Sequence, residues 1–357
     1  MKRKKWLVVG MSCLLLLLAA GLWMEASAQQ APKPIVLKCS AMAPRDMPVM
    51  LGYEAWGKEI EKRTNGRVKC EFYWSESLLK VADALKGTGA GLADVCIDVP
   101  AYHPSDTPFA TIGELGYMTS QVDATARALT DLYEEYPLFK KQFERHNIKV
   151  MFFVPFPPVI MGSTKPIQKM EDLKGKKIRA LGWLNEVIAK LGGTPVAISI
   201  AEVYESLSRK VIDGYTGNIL SAIKGWKLDE VAPYIIDFGY GSYLVEFICM
   251  NKDKWDSLPP DIRKIIEEVN KKGIDIYADV YKNEEPRYAA PLKEKCNFYT
   301  LPSSEAMRWK NMVIPGLWNN WVERHKQYGP AQEFFNRYQE LVKKYEPLSK
   351  YVNPFPK

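Results

Sequence analysis

The sequence predicts an α/β protein made of two successive units, and three features carry that expectation. Short apolar runs alternate with helical stretches from residue 35 onward. A strand-like run, IKVMFFVPFPPVIMGS at 148–163, is interrupted by Pro155, Pro157 and Pro158, and the alternation then starts again. Strand–helix–strand order argues for parallel sheet with crossover helices. Proline cannot donate to a ladder and fixes its own backbone angle, so the interrupted run is a rigid extended crossing where one unit gives way to the next.

Before the crossing, strands are predicted at IVLKCSA (35–41), VKCEFYW (68–74) and ADVCIDV (93–99), with helices at 51–66 and 78–87. In the first helix Leu51, Ala55, Trp56 and Ile60 recur at helical spacing and Gly66 supplies the stop. A further helical region covers about 125–146. After the crossing come a short helix at MEDLKG (170–175), a strand at KKIRAL (176–181), a helix at 184–193, a strand at TPVAIS (194–199) and a helix at 200–210. Ser199 and Glu202 have capping-box spacing, which fixes where that last helix begins. Residues 243–250 read as another strand and CNFYTL (296–301) as a short one. The stretch from Ser257 to Lys295 reads as one long helix starting near Pro259 and Pro260, long enough to span both units.

The first 28 residues stand apart: a basic MKRKK, an apolar run, and Ala26-Ser27-Ala28 in the small-x-small form of a cleavage site. They read as a secretory signal, with a retained membrane anchor as the alternative for so long an apolar run. No other stretch is apolar enough to span a bilayer, so the mature chain is expected to be soluble and exported. Without Lys2, Arg3, Lys4, Lys5 and Glu25 the formal charge falls from +7 to +4. Basic and acidic residues are interleaved, as in KEIEKR, which describes a solvated surface and not a nucleic-acid face.

Cys39, Cys70, Cys96, Cys249 and Cys296 show no CxxC spacing, which excludes a ribbon-type zinc site or a disulfide scaffold. Cys39 and Cys70 fall in the first two strands, and both a bridge and two buried thiols remain open. His103, His146 and His325 are far apart and form no metal-ligand pattern, and no cofactor is expected. The GTGAG cluster (87–91) follows a helix and precedes a strand, the reverse of a phosphate-binding loop, so it reads as a helix-end turn. GYGSY (239–243) lacks the order of a nucleophile elbow.

One residue breaks the apolar pattern. Arg179 lies between Ile178 and Ala180 in the strand, just before Gly182. Pattern alone leaves three roles open: an exposed edge position, a core-margin arginine paired with a carboxylate, or a ligand arginine. The last follows because the C-terminal ends of strands in open α/β sheets face the ligand crevice, where a guanidinium can hold a carboxylate in bidentate fashion.

DLKGKKIRALG (172–182) followed by LGGTPVAISIAEVYESLSRKVIDG (191–214) resembles the central signature of the solute-binding receptors of tripartite ATP-independent periplasmic (TRAP) transporters. EIEKRTNGRVKCEFY and GAGLADVCID are similar to that family's N-terminal lobe, so the resemblance covers nearly the whole mature chain. It implies a two-lobed periplasmic binding protein fold with hinge strands and a long connecting helix. The division it implies is a signal peptide at 1–28, lobe one at 35–156 and 246–285, lobe two at 157–245 and 286–345, and a tail at 346–357. It further implies a non-enzymatic periplasmic receptor that hands an organic anion to the small and large membrane subunits of a permease. By the same resemblance Arg179 forms the salt bridge to the ligand's carboxylate.

Departures from the family pattern shape the expected ligand. Sialic-acid-type members carry DGxENP where this chain has DGYTGN, with Gly217 at the asparagine position and Asn218 one residue later, and their second arginine falls near Val159. Phe156, Val159, Trp183, Ile200 and Tyr215 stand at or near the cleft by this correspondence, and Trp74 ends the second strand. Together with Arg179 and Asn218 they form the predicted site, which suits a monocarboxylate with an aromatic or otherwise apolar body. An exported enzyme acting on carboxylates and a ligand-sensing partner of a signalling receptor are the competing functions.

Overall fold

The computed structural model describes residues 33–349 other than 244, together with 351 and 355. The predicted signal segment lies outside the described residues. The chain lays down β1 (Ile35–Ser40), β2 (Val68–Tyr73), β3 (Val95–Asp98) and β4 (Ile148–Val154). It then crosses to place β5 (Ile160–Ser163), β6 (Lys177–Arg179), β7 (Thr194–Val196), β8 (Gly214–Asn218) and β9 (Tyr234–Asp237). It returns with β10 (Glu246–Asn251) before β11 (Asn297–Thr300) completes the second sheet. The first sheet has the order β2-β1-β3-β10-β4 and the second β11-β9-β5-β8-β6-β7. These are the two lobes of an α/β binding-protein fold.

Parallel pairing dominates where helices cross over: β1 runs parallel to β3, and β6 is parallel to both β7 and β8. β10 runs antiparallel between β3 and β4, as a strand arriving from the other lobe must. The chain therefore passes between the lobes at 155–159 and again at 238–245. The two crossings are stitched together, Val159 N–H donating to Gly241 O at 3.2 Å. Prolines 155, 157 and 158 end β4 without a partner strand, which leaves this connection extended.

Pro48 opens the helix Pro48–Arg63, where its missing N–H costs nothing, and Lys62 and Arg63 close it with charges that suit the C-terminal end of the helix dipole. Its buried Trp56 donates from Nε1 to Asn270 Oδ1 at 2.9 Å, pinning this helix to the helix Pro260–Asn270. The helical region near 125–146 is two helices, Val122–Glu135 and Pro137–Glu144. Pro137 keeps the preceding Tyr136 out of the helical region, at φ −112° and ψ 101°.

The single helix predicted for 257–295 is also divided, into Pro260–Asn270 and Gly273–Lys295. Gly273 sits against the face of the Phe152 ring, where an added Cβ would lie 2.6 Å from ring carbons. The chain turns there to approach β4. The second of these helices is the connector: it packs on helix Pro48–Arg63 of lobe one and on helix Leu220–Gly225 of lobe two. Its buried Glu285 accepts from the Ser221 hydroxyl and from Ser221 N–H. Helix Ala331–Tyr345 packs on helix Val122–Glu135, so the C-terminal stretch placed with lobe two by sequence reaches back to lobe one.

Candidate functional site

Arg179 is the last residue of β6, and the strands beside it run parallel, so their C-terminal ends open on one side. The side chain is 3% exposed. Nε donates to Ile198 O at 3.1 Å and Nη1 to Thr216 O at 3.2 Å, which fixes the guanidinium plane through main-chain carbonyls on two neighbouring segments. Among the described residues no carboxylate oxygen comes within 4.0 Å of it. Burial pulls its pKa down, with the adjacent Tyr102 and Tyr243 opposing that pull. An arginine stays protonated through shifts of this kind, so the site holds a buried positive charge without an internal counter-ion.

The charge opens on a cavity of about 360 Å³ between the lobes, a size within the usual range for small-molecule sites. Lobe one contributes Met47, Met50, Val81 and Val99, and lobe two contributes Leu181, Ile200, Ile219 and Trp226. Polar groups are few, as specificity groups in a mostly apolar site usually are. Asn218 ends β8 beside Arg179, 5% exposed, with its Nδ2 buried and unpartnered among the described residues. Ser75, Glu76, Tyr102, Ser199, Tyr243 and Glu246 supply the remaining polar side chains of the described lining.

Of the eight residues chosen from sequence, Arg179, Asn218, Phe156 and Ile200 line this cavity. The other four stand elsewhere, and each position has a physical reason. Tyr215, wholly buried in the middle of β8, packs in the lobe-two core with Val203, Leu207 and Ile235. Trp183 points away from the cleft, with the Arg324 guanidinium over its ring at 5.0 Å and His325 beside it. Val159 is locked into the crossing by its bond to Gly241. Trp74 stacks on Phe72 at 4.9 Å, while its neighbours Ser75 and Glu76 reach the lining. Tyr102 and Glu246 were missed. Tyr102 follows the C-terminal end of β3, and the strand-end rule that singles out Arg179 applies to it equally.

The other sequence candidates fall into structural roles. Asp98 Oδ2 lies 3.1 Å from His103 Nε2 in the lobe-one interior. His325 stacks on Trp321 with ring centroids 4.2 Å apart. Cys39 and Cys70 are thiols, and Cys96 and Cys249 face each other across β3 and β10 with sulfurs 3.3 Å apart. No group of three or more metal-ligating side chains occurs among the described residues.

Burial also acts on carboxyls around the cleft. It pushes Glu114 and Glu246 up to about 8 and Glu285 up to about 7. Between pH 4.5 and 8 the folded chain therefore binds more protons at these groups than the unfolded chain does. Their contribution to stability is complete below about pH 4.5 and is lost as pH rises through 7 and 8. Melting temperature is expected to fall between pH 5 and pH 8.5, and to fall less in Glu114→Gln, which cannot ionise. An equal fall in both proteins would show that Glu114 does not contribute.

Two lobes joined by two crossings and a connecting helix, with a buried cation facing the cavity between them, make the architecture of a two-lobed solute-binding protein. The chain belongs to the bacterial extracellular solute-binding protein family 7, DctP, whose profile matches residues 39–324. It is 25% identical over 302 residues to the C4-dicarboxylate-binding periplasmic protein DctP of Rhodobacter capsulatus, covering 83% of this chain and 90% of that one. A TRAP periplasmic solute-binding protein from Desulfovibrio salexigens shares the fold with a TM-score of 0.73 and 26% identity, covering 89% of this chain and 98% of that one. A marine-metagenome TRAP solute-binding protein specific for aromatic acid ligands, solved with 3-hydroxybenzoate, gives a TM-score of 0.79 at 21% identity over 88% of this chain and 99% of its own. No helix among the described residues is long and apolar enough to cross a membrane.

Proposed function

We propose that the chain is the exported, periplasmic receptor of a TRAP transporter. It captures an organic monocarboxylate with an aromatic or apolar body and delivers it to the membrane permease subunits. Arg179 binds the carboxylate, Asn218 donates beside it, and Phe156 and Ile200 cover the body. The observation that carries this is the buried guanidinium with no carboxylate partner among the described residues, set in a wall that is otherwise largely apolar. An uncompensated cation is costly where water is excluded, so an arriving carboxylate satisfies it and favours the closed lobes. The marine-metagenome protein, specific for aromatic acids, supports the choice of ligand body.

A C4-dicarboxylate is the second reading, favoured by the Rhodobacter capsulatus relative. The lining argues against it: Arg179 is its one arginine, and its other charged-type residues are Glu76 and Glu246. A second ligand carboxylate would find no second cation in the described lining. Mass spectrometry of small molecules released from the purified protein, with calorimetric titration of benzoate and succinate, tests the choice. An aromatic monocarboxylate released and benzoate bound near micromolar are the expected results. Tight succinate binding without benzoate binding would favour the second reading.

A further inference from the structure

Glu246 opens β10 where the second crossing ends, its main chain paired with Val154. Its side chain lines the cavity and is 3% exposed, and its Oε2 has no hydrogen-bond partner among the described residues. The other acid of the lining is occupied: Glu76 accepts from Val81 N–H at 3.0 Å and lies 3.3 Å from Lys80 Nζ. No cation among the described residues comes within 4.0 Å of Glu246. A carboxyl built into a closed wall without a partner is expensive to keep, and such groups serve ligands more readily than they serve the fold.

We infer that Glu246 is a further ligand-binding residue, holding its proton and exchanging hydrogen bonds with a hydroxyl on the body of a monocarboxylate anchored at Arg179. This rests on the reading of Arg179 given above. A protonated carboxyl offers one O–H donor and one carbonyl acceptor, and a hydroxyl offers the same pair in return. A second carboxylate could not match it without a further proton.

The surroundings keep Glu246 neutral at pH 7. Burial raises its pKa to about 8, with the negative field of Asp98 on the adjacent β3 adding to the rise. Asp98 is itself held by His103 at 3.1 Å and by Val99 N–H at 2.7 Å. Tyr277 and Tyr281 of the connecting helix complete the neighbourhood, both pushed well above 10 by burial. Across the cavity Arg179 stays charged throughout. Above about pH 8 Glu246 ionises beside a ligand that is already an anion, and affinity falls.

Calorimetry of benzoate and the three hydroxybenzoate isomers on the mature protein tests this. One isomer is expected to bind wild type at least tenfold more tightly than benzoate at pH 7. Glu246→Leu should remove that preference, so that this isomer binds no more than about threefold more tightly than benzoate. Glu246→Gln, which keeps a donor and an acceptor, should retain most of the preference and lose less affinity than wild type between pH 7 and pH 9. The Asp98–His103 pair is present in both proteins, so the difference isolates Glu246. Equal binding of all four acids by wild type, or a preference that survives in Glu246→Leu, would overturn the inference while leaving Arg179 its role. Failure of wild type to bind any of the four would overturn the aromatic-monocarboxylate reading and this inference with it.

Discussion

Replacing Arg179 with alanine is expected to weaken carboxylate binding by at least tenfold and to leave the lobes folded. Charge-assisted hydrogen bonds contribute about 1.5–3 kcal/mol each, so two of them to one carboxylate put the loss nearer a hundredfold. The fold tolerates the change because Arg179 itself lines the cavity and bonds only to the main-chain carbonyls of Ile198 and Thr216, so water can enter the space it leaves. Arg179→Lys keeps the charge but offers a compact point donor instead of a planar fork, and is expected to fall between the two. Calorimetry with an aromatic monocarboxylate, alongside thermal melts of each protein, separates the outcomes. Unchanged affinity in Arg179→Ala would remove this residue from the site.

The largest effect on stability is expected three residues later. Gly182 has φ +51°, and a Cβ placed on it would lie 1.9 Å from Glu114 Oε2. Glu114 is buried and comes from the turn Pro108–Glu114 of lobe one, so the approach is made between lobes. Alanine here pays for a left-handed backbone and must displace the carboxyl end of the buried Glu114 side chain. A loss of roughly 2–4 kcal/mol follows from these two causes, or a fall in melting temperature on the order of 3–6 °C for a chain of this size. The double variant Gly182→Ala/Glu114→Ala should be less destabilised than the two single changes added together, because the second change empties the space the first one needs. A melting temperature within about 1 °C of wild type in Gly182→Ala would contradict the close contact.

Much of this architecture was legible in the sequence because its signals are local. Alternating runs gave the strands, Ser199 and Glu202 form the capping box at the start of their helix, and the prolines marked where the chain leaves one sheet for the other. The position of Arg179 at a strand end beside the cavity was legible for the same reason, while pattern alone left its role open and only the family resemblance chose among the alternatives. Tyr215 and Trp183 were not, because nearness in sequence to that motif says little about which face a side chain takes. Tyr215 stands mid-strand over the lobe core, whereas Asn218, at the strand's end, reaches the cavity. Glu246 was hidden by its neighbours, since an acid at the start of EFICMN looks like the polar edge of a buried strand. Its place in the cavity depends on a return crossing from the other lobe, a long-range contact that no local pattern encodes. The division of the 257–295 helix was equally remote, set by the Phe152 ring on a strand more than a hundred residues earlier.

The most direct measurement is a crystal structure of the mature protein with a bound aromatic monocarboxylate. The ligand's carboxylate is expected within about 3 Å of the Arg179 guanidinium, between closed lobes, with its ring against Phe156 and Ile200. A ligand carboxylate held by other groups, with Arg179 turned to bulk solvent or paired to an acid of the protein itself, would contradict the account.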